Sequence, residues 1–208
     1  MGSVNAGVRV SSGRTTFSAT IPYLFVDSPG LVYSGFDGTP LVMLADTGGE
    51  RRSWSSIGDP TFSLSHDIPM GQTSLRGAAR IKIPVQGFNS ISTGQLDWSV
   101  SAEISHKLGA ITPFASLGYR SFGDTSAWRV RDGFSGSVGL GASLSEGAIA
   151  VSYEMAESTS DFVGDAHELV AVYDRSIGGR VRLALFGTIG LSDGAADGGG
   201  GVRVSLAM

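Results

Sequence analysis

Along most of this chain apolar side chains occupy every second position, and Ser, Thr, Gly, Arg, Lys, Asp or Glu fill the positions between. A period of two is the mark of a β-strand with one apolar and one polar face. Residues 4–10 set Val4, Ala6, Val8 and Val10 against Asn5, Gly7 and Arg9, and Ser12-Gly13 then reads as a tight turn. Residues 14–26 oppose Phe17, Ala19, Ile21, Tyr23 and Phe25 to Arg14, Thr16, Ser18 and Thr20. Further on, Leu75, Ala79, Ile81, Ile83 and Val85 face away from Arg76, Arg80 and Lys82, and Leu96 through Ile104 alternates with Asp97, Ser99, Ser101 and Glu103. The pattern recurs from Ile111 to Tyr119, Phe134 to Leu144, Ile149 to Met155, Val181 to Ile189 and Val202 to Met208. Residues 166–176 blur it, because Val170 and Val172 share a face with Glu168 and Asp174. About eleven segments result, each of ~9–12 residues, the length a tilted membrane strand requires.

Alternation alone also suits a soluble sandwich or lipocalin-like barrel, whose polar face needs dense Lys, Glu and Asp. Here that face is mostly Ser, Thr, Gly and Arg, which suits a crowded polar lumen. The expected fold is therefore all-β: an antiparallel transmembrane β-barrel of about 12 strands, 11 of them visible. Connections at 12–13, 106–109, 145–147 and 176–179 are short, whereas 27–58, 86–94, 121–132, 156–165 and 192–198 are longer and polar. Bacterial barrels have short periplasmic turns and long extracellular loops, which places this chain in an outer membrane with its C-terminus in the periplasm. An odd count leaves closure open. Parallel pairing of the first and last strands, a strand recruited from residues 31–45, or a strand donated by a protein partner or second copy at the N-terminal edge would each complete it.

Composition narrows the functional classes. No stretch reaches the ~18 consecutive apolar residues of a transmembrane helix. Thirty-one glycines against seven prolines disfavour a helical fold, since glycine weakens helix interiors. The absence of cysteine excludes disulfides and thiolate metal sites. A formal charge of −4, with the 15 Lys and Arg dispersed, leaves no basic footprint for nucleic acid. Met1-Gly2-Ser3 leads into strand pattern without the charged and apolar regions of a secretory signal. Met1 to Ser3 read as added residues foreign to the natural chain, and residues 4–208 as one barrel domain carrying a long extracellular loop at 27–58.

Several segments resemble the outer-membrane transporters of the phenol degradation meta-pathway family. In order they are Thr20-Ile21-Pro22-Tyr23 with Pro29-Gly30; Gly58-Asp59 opening a strand; Lys82-Ile83-Pro84; Thr93-Gly94 with Asp97; Pro113 through Arg120; Arg131-Asp132-Gly133; Asp165 through Leu169; and Gly190 through Gly194. The resemblance implies a barrel of about twelve strands that passes small, hydrophobic or aromatic molecules. It also implies a further strand before residues 4–10 and an aromatic final residue, where this chain has Met208.

The polar face supplies the candidate lumen lining: Arg9, Arg14, Arg76, Arg80, Lys82, Arg120, Arg180, Arg182 and Arg203, with Asp97, Glu103, Glu154, Glu168 and Asp174. Such a set either selects solutes or fills a narrow barrel with a cross-lumen ion-pair network. Within the 27–58 connection, Leu31, Val32 and Tyr33 and then Leu41, Val42, Met43 and Leu44 form two apolar patches. They suit a constriction, a partner-docking loop, or plain hairpin extensions. Trp54, Trp98, Tyr119, Trp128 and Tyr153 suit an aromatic girdle at headgroup level, against membrane lipid or lipopolysaccharide.

Catalysis has one constellation to offer, His167 and Glu168 with Ser158 and Ser160, and adjacent strand residues point to opposite faces. Glu157, Asp161 and Asp165 fit no calcium-loop spacing, and Gly198–Gly201 precedes no phosphate-binding helix. The expectation is a cofactor-free, non-enzymatic channel for passive passage of small solutes, and the alternative is a structural barrel anchoring a partner in an envelope assembly.

Overall fold

The structure, a computed structural model, describes residues 2–28, 31–34, 36, 40–44, 52–85, 94–123 and 129–206. Fourteen strands follow one another: β1 (Gly2–Ser12), β2 (Thr15–Ser28), β3 (Leu31–Ser34), β4 (Pro40–Leu44), β5 (Arg52–Ile57), β6 (Thr61–Met70), β7 (Thr73–Lys82), β8 (Asp97–His106), β9 (Ile111–Ser121), β10 (Gly133–Leu144), β11 (Gly147–Ala156), β12 (Ala166–Ile177), β13 (Val181–Gly190) and β14 (Gly198–Leu206). Twelve form one antiparallel sheet in the order β1-β2-β6-β7-β8-β9-β10-β11-β12-β13-β14, with β5 beside β2. Short connections favour this meander, because a two- to four-residue turn can only return the chain antiparallel to itself.

β5 and β6 are successive parts of one ladder position. Tyr23 of β2 pairs with Ile57, and Thr20 pairs with Thr61, so two residues of β2 face the three residues 58–60. This is a β-bulge, and it reverses the parity of the strand. Its cause is local. Pro22 has no N–H to donate, while its carbonyl accepts the Gly58 N–H at 2.8 Å. A Cβ on Gly58 would lie 2.8 Å from Leu24 Cδ1 and 2.9 Å from Pro22 Cγ, so only glycine fits without displacement.

The ladder registers align the alternation of every strand. Val10, Phe17, Leu64, Ala79, Val100, Tyr119 and Phe134 form one continuous row across seven strands. The burial that results is inverted relative to a water-soluble domain. Leu117, Val138 and Leu140 are 61%, 58% and 59% exposed on the apolar face, whereas Lys82 and Asp97 on the polar face are 0% exposed. Among the described residues the buried apolar side chains are few: Leu24, Val26, Phe36, Phe122, Val130 and Ala184.

Three expectations change. β1 takes in Gly2 and Ser3, which pair with Phe25 and Leu24. The 27–58 loop is shorter than expected, because β2 runs on to Ser28 and β5 pairs with its upper half. The described residues between 31 and 44 supply no strand to the large sheet; β3 and β4 pair with each other as a separate hairpin, with a register shift between Leu31 and Val32. The side chains of Leu31, Val32, Tyr33, Leu41, Val42, Met43 and Leu44 lie outside the described residues, as do Trp128 and Met208. The large sheet is open: no ladder joins β1 to β14 among the described residues. Antiparallel alternation along eleven positions makes these two end strands run in the same direction.

Candidate functional site on the polar face

Because neighbouring strands are in register, the polar side chains lie in rows. Arg9, Ser18, Ser63, Arg80, Ser99 and Arg120 occupy one row from β1 to β9, with three cations and no carboxylate. Four residues along the strands, about 13 Å away, a second row runs Asp67, Arg76, Glu103, Ser116, Ser137, Glu154, Glu168 from β6 to β12. It holds four carboxylates and one cation. The row between them is small: Ser11, Thr16, Ser65, Ala78, Ser101, Gly118, Ser135. Hydroxyl pairs stitch the rows, including Ser18 Oγ to Ser63 Oγ at 2.6 Å and Ser116 Oγ to Ser137 Oγ at 2.7 Å.

At the end carrying the long connections the polar face holds buried charges. Lys82 Nζ lies 2.5 Å from Asp97 Oδ2 and 3.6 Å from Asp59 Oδ2, all three side chains fully buried. The carboxylates are held in turn, since Asp59 Oδ1 accepts the Val85 N–H and Asp97 Oδ1 accepts the Gly123 N–H. The bulge places Asp59, and the ladder places Lys82 opposite both Thr61 and Asp97. On the same polar side Leu24 and Val26 form a small buried cluster, with Trp54 packed against it. Phe36, from the connection between β2 and β5, reaches Phe122 past the end of β9, with ring centroids 6.1 Å apart. Four ladder steps separate β2 from β9, about 19 Å on a flat sheet. Phe36 therefore lies far from the end of β2 that its connection leaves, against the end of β9. Arg120 donates to the Glu157 carbonyl at 3.0 Å and sits over the Phe122 ring.

Toward the short turns the face is open. Arg76 holds Asp67 through two bonds, at 2.7 and 3.1 Å, and Arg182 holds Asp174 at 2.5 Å, all partly exposed. Between β8 and β12 lies a pocket of about 340 Å³ lined by Glu103, Thr112, Phe114, Ala150, Val172 and Asp174, among others.

Of the expected lumen residues, Arg9, Arg76, Arg80, Lys82, Asp97, Glu103, Arg120, Glu154, Glu168, Asp174, Arg182 and Arg203 share the polar face by register. Arg14 and Arg180 do not; each sits in a turn between strands. Asp59, Asp67, Phe114 and Phe186 were missed. Parity alone marks the two phenylalanines, since Phe114 lies between Thr112 and Ser116, and Phe186 between Ala184 and Thr188, on the polar side of clean strands. Both rings lie over glycine: a Cβ on Gly139 or Gly201 would come within 2.5 Å of the Phe114 or Phe186 ring.

The aromatic set divides. Trp98, Tyr119 and Phe134 contact one another on the apolar face at the long-connection end, with centroids 5.8 and 5.3 Å apart, and Tyr153 stacks on His167 there. Trp54 belongs instead to the polar side, because the bulge turns it toward Leu24 and Val26. The catalytic constellation is not assembled. His167 Nδ1 bonds Tyr153 Oη at 2.6 Å, Ser158 Oγ donates to the carbonyls of Ser160 and Val163, and Glu168 faces the other way. Glu157 and Asp165 accept backbone N–H groups of Phe134 and Ser158, while Asp161 pairs with Arg131.

Comparison of the sequence with models of known families and with curated proteins finds no match.

Proposed function

We propose that the sheet closes into a membrane-spanning β-barrel of a bacterial outer membrane, with the polar face as its lumen, and that it passes small solutes. The observation that carries this reading is the inversion of burial: exposed large apolar side chains dominate one face of the sheet while an Asp-Lys-Asp triad is buried on the other. Water would disfavour such a surface by about 1.5–3 kcal/mol for each large apolar side chain it left uncovered, and a hydrocarbon slab removes that cost. Strand lengths of 9 to 14 residues in the large sheet, setting aside the β5–β6 pair, match a tilted span. The aromatic band of Trp98, Tyr119 and Tyr153 then sits at one headgroup layer.

Closure must satisfy the backbone groups of β1 and β14, each worth several kcal/mol if left unpaired in hydrocarbon. Since the two strands run the same way, either they pair in parallel or one extended strand, antiparallel to both, lies between them. A second copy or a protein partner can supply that strand. The resemblance to the phenol degradation meta-pathway transporters agrees with this reading and suggests hydrophobic or aromatic cargo.

The open edges also favour a second reading, a structural barrel that holds an envelope partner. Single-channel recording of the purified chain in planar bilayers separates the two. The channel reading expects steady openings whose size changes in Arg80→Ala. A folded barrel, judged by heat-modified gel mobility, that stays silent would overturn it in favour of the structural reading.

A further inference from the structure

We infer that the pocket between β8 and β12 binds a small organic cation with an apolar, preferably aromatic, body. The inference rests on the polar face being the lumen and names the class of solute that it holds.

The pocket combines two kinds of wall. Phe114, Ala150 and Val172 give an apolar floor, and the Phe114 ring reaches over Gly139, the neighbouring ladder position, where a Cβ would lie 2.5 Å from it. Its volume of about 340 Å³ lies within the range of small-molecule sites. Glu103 and Asp174 provide the polar rim.

The two carboxylates differ in what neutralises them. Asp174 is paired with Arg182. Arg76, the cross-strand neighbour of Glu103, gives both its hydrogen bonds to Asp67 and acts on Glu103 only through its charge, so it neutralises Glu103 only in part. Glu103 therefore brings its negative charge to the pocket beside Phe114. The surrounding wall reinforces that sign: across β8–β12 the polar face carries Glu103, Glu154, Glu168 and Asp174, with Asp97 paired to Lys82, and Arg120, in the basic row about 13 Å from Glu103, is the cation on those strands' polar side. An anion would meet repulsion at this wall, and a neutral aromatic would use the floor alone. A cation on a short apolar body uses both, its charge against Glu103 and its ring against Phe114.

The test is titration calorimetry of the detergent-solubilised full chain with phenethylammonium, with phenylacetate as the partner of opposite charge and similar bulk. The expected result is saturable binding of the amine, binding of phenylacetate at least tenfold weaker, and a loss of about tenfold in Glu103→Gln. Folding of the variant is checked by heat-modified mobility. Equal binding of the two probes, or unchanged amine binding in Glu103→Gln, would overturn the inference.

Because the chain has no cysteine, Ser105→Cys and Ala102→Cys in liposomes test the underlying reading separately with a membrane-impermeant thiol reagent. Labelling at 105 and protection at 102 supports a watery polar face. Labelling at 105 without amine binding sinks the pocket alone, whereas protection at 105 sinks the lumen and the pocket with it.

Discussion

The two ends of the polar face use the same chemistry to different effect. At the long-connection end, Lys82 with Asp59 and Asp97 is wholly buried. At the short-turn end, Arg76 with Asp67 is an ion pair of better geometry whose side chains are 52% and 34% exposed. Burial, more than bond geometry, decides which pair holds the structure together. A buried charge without its partner pays full desolvation, while a half-exposed one falls back on water.

The largest expected effect follows directly. Lys82→Met leaves Asp59 and Asp97 buried against each other, and destabilisation of about 3–5 kcal/mol is expected. A urea titration followed by tryptophan fluorescence measures it. Adding Asp59→Asn and Asp97→Asn to Lys82→Met should restore much of the loss, because the cost lies in the orphaned charges. A lysine variant as stable as the parent would show that water reaches the triad.

Lys82 and Asp97 were legible as polar-face residues from alternation, and so was the meander, since nearly every strand outside residues 166–176 keeps a clean period of two. Their partner Asp59 was not. It sits in a bulge, where parity breaks, and period-two counting has no information at the residue where the period slips. Trp54 was misplaced for the same reason, lying on the far side of that slip. The hairpin β3–β4 was one of the readings open for its two apolar patches, and it forms because they pair locally. Closure was beyond reach, because pairing of end strands depends on long-range geometry that local pattern does not encode.

An intermediate effect is expected at the bulge that places Asp59. Gly58→Ala adds a Cβ 2.8 Å from Leu24 Cδ1 and 2.9 Å from Pro22 Cγ. Overpacking of this kind costs about 1–3 kcal/mol. Leu24→Ala, which is destabilising alone, should partly relieve it, so the double variant loses less than the two losses added together. The same urea titration reads the coupling. Additive losses would mean that the bulge strains through Pro22 or the backbone, not through the Leu24 side chain.

The smallest stability effect belongs to the open end, and there the interesting readout changes. Arg76→Ala removes a half-exposed ion pair, which is worth about 0–1 kcal/mol and less at high salt. The urea midpoint should hardly move. Yet Arg76 is the one cation in the row that carries Asp67, Glu103, Glu154 and Glu168. Its loss leaves that row with carboxylates alone, so reversal potentials in a potassium chloride gradient should shift toward cation preference. Arg76→Lys, which keeps the charge while losing the two-pronged contact with Asp67, should leave the potential near that of the parent. A large fall in stability with no change in selectivity would invert the contrast between the two ends, making the exposed pair structural and leaving the row outside the conducting path.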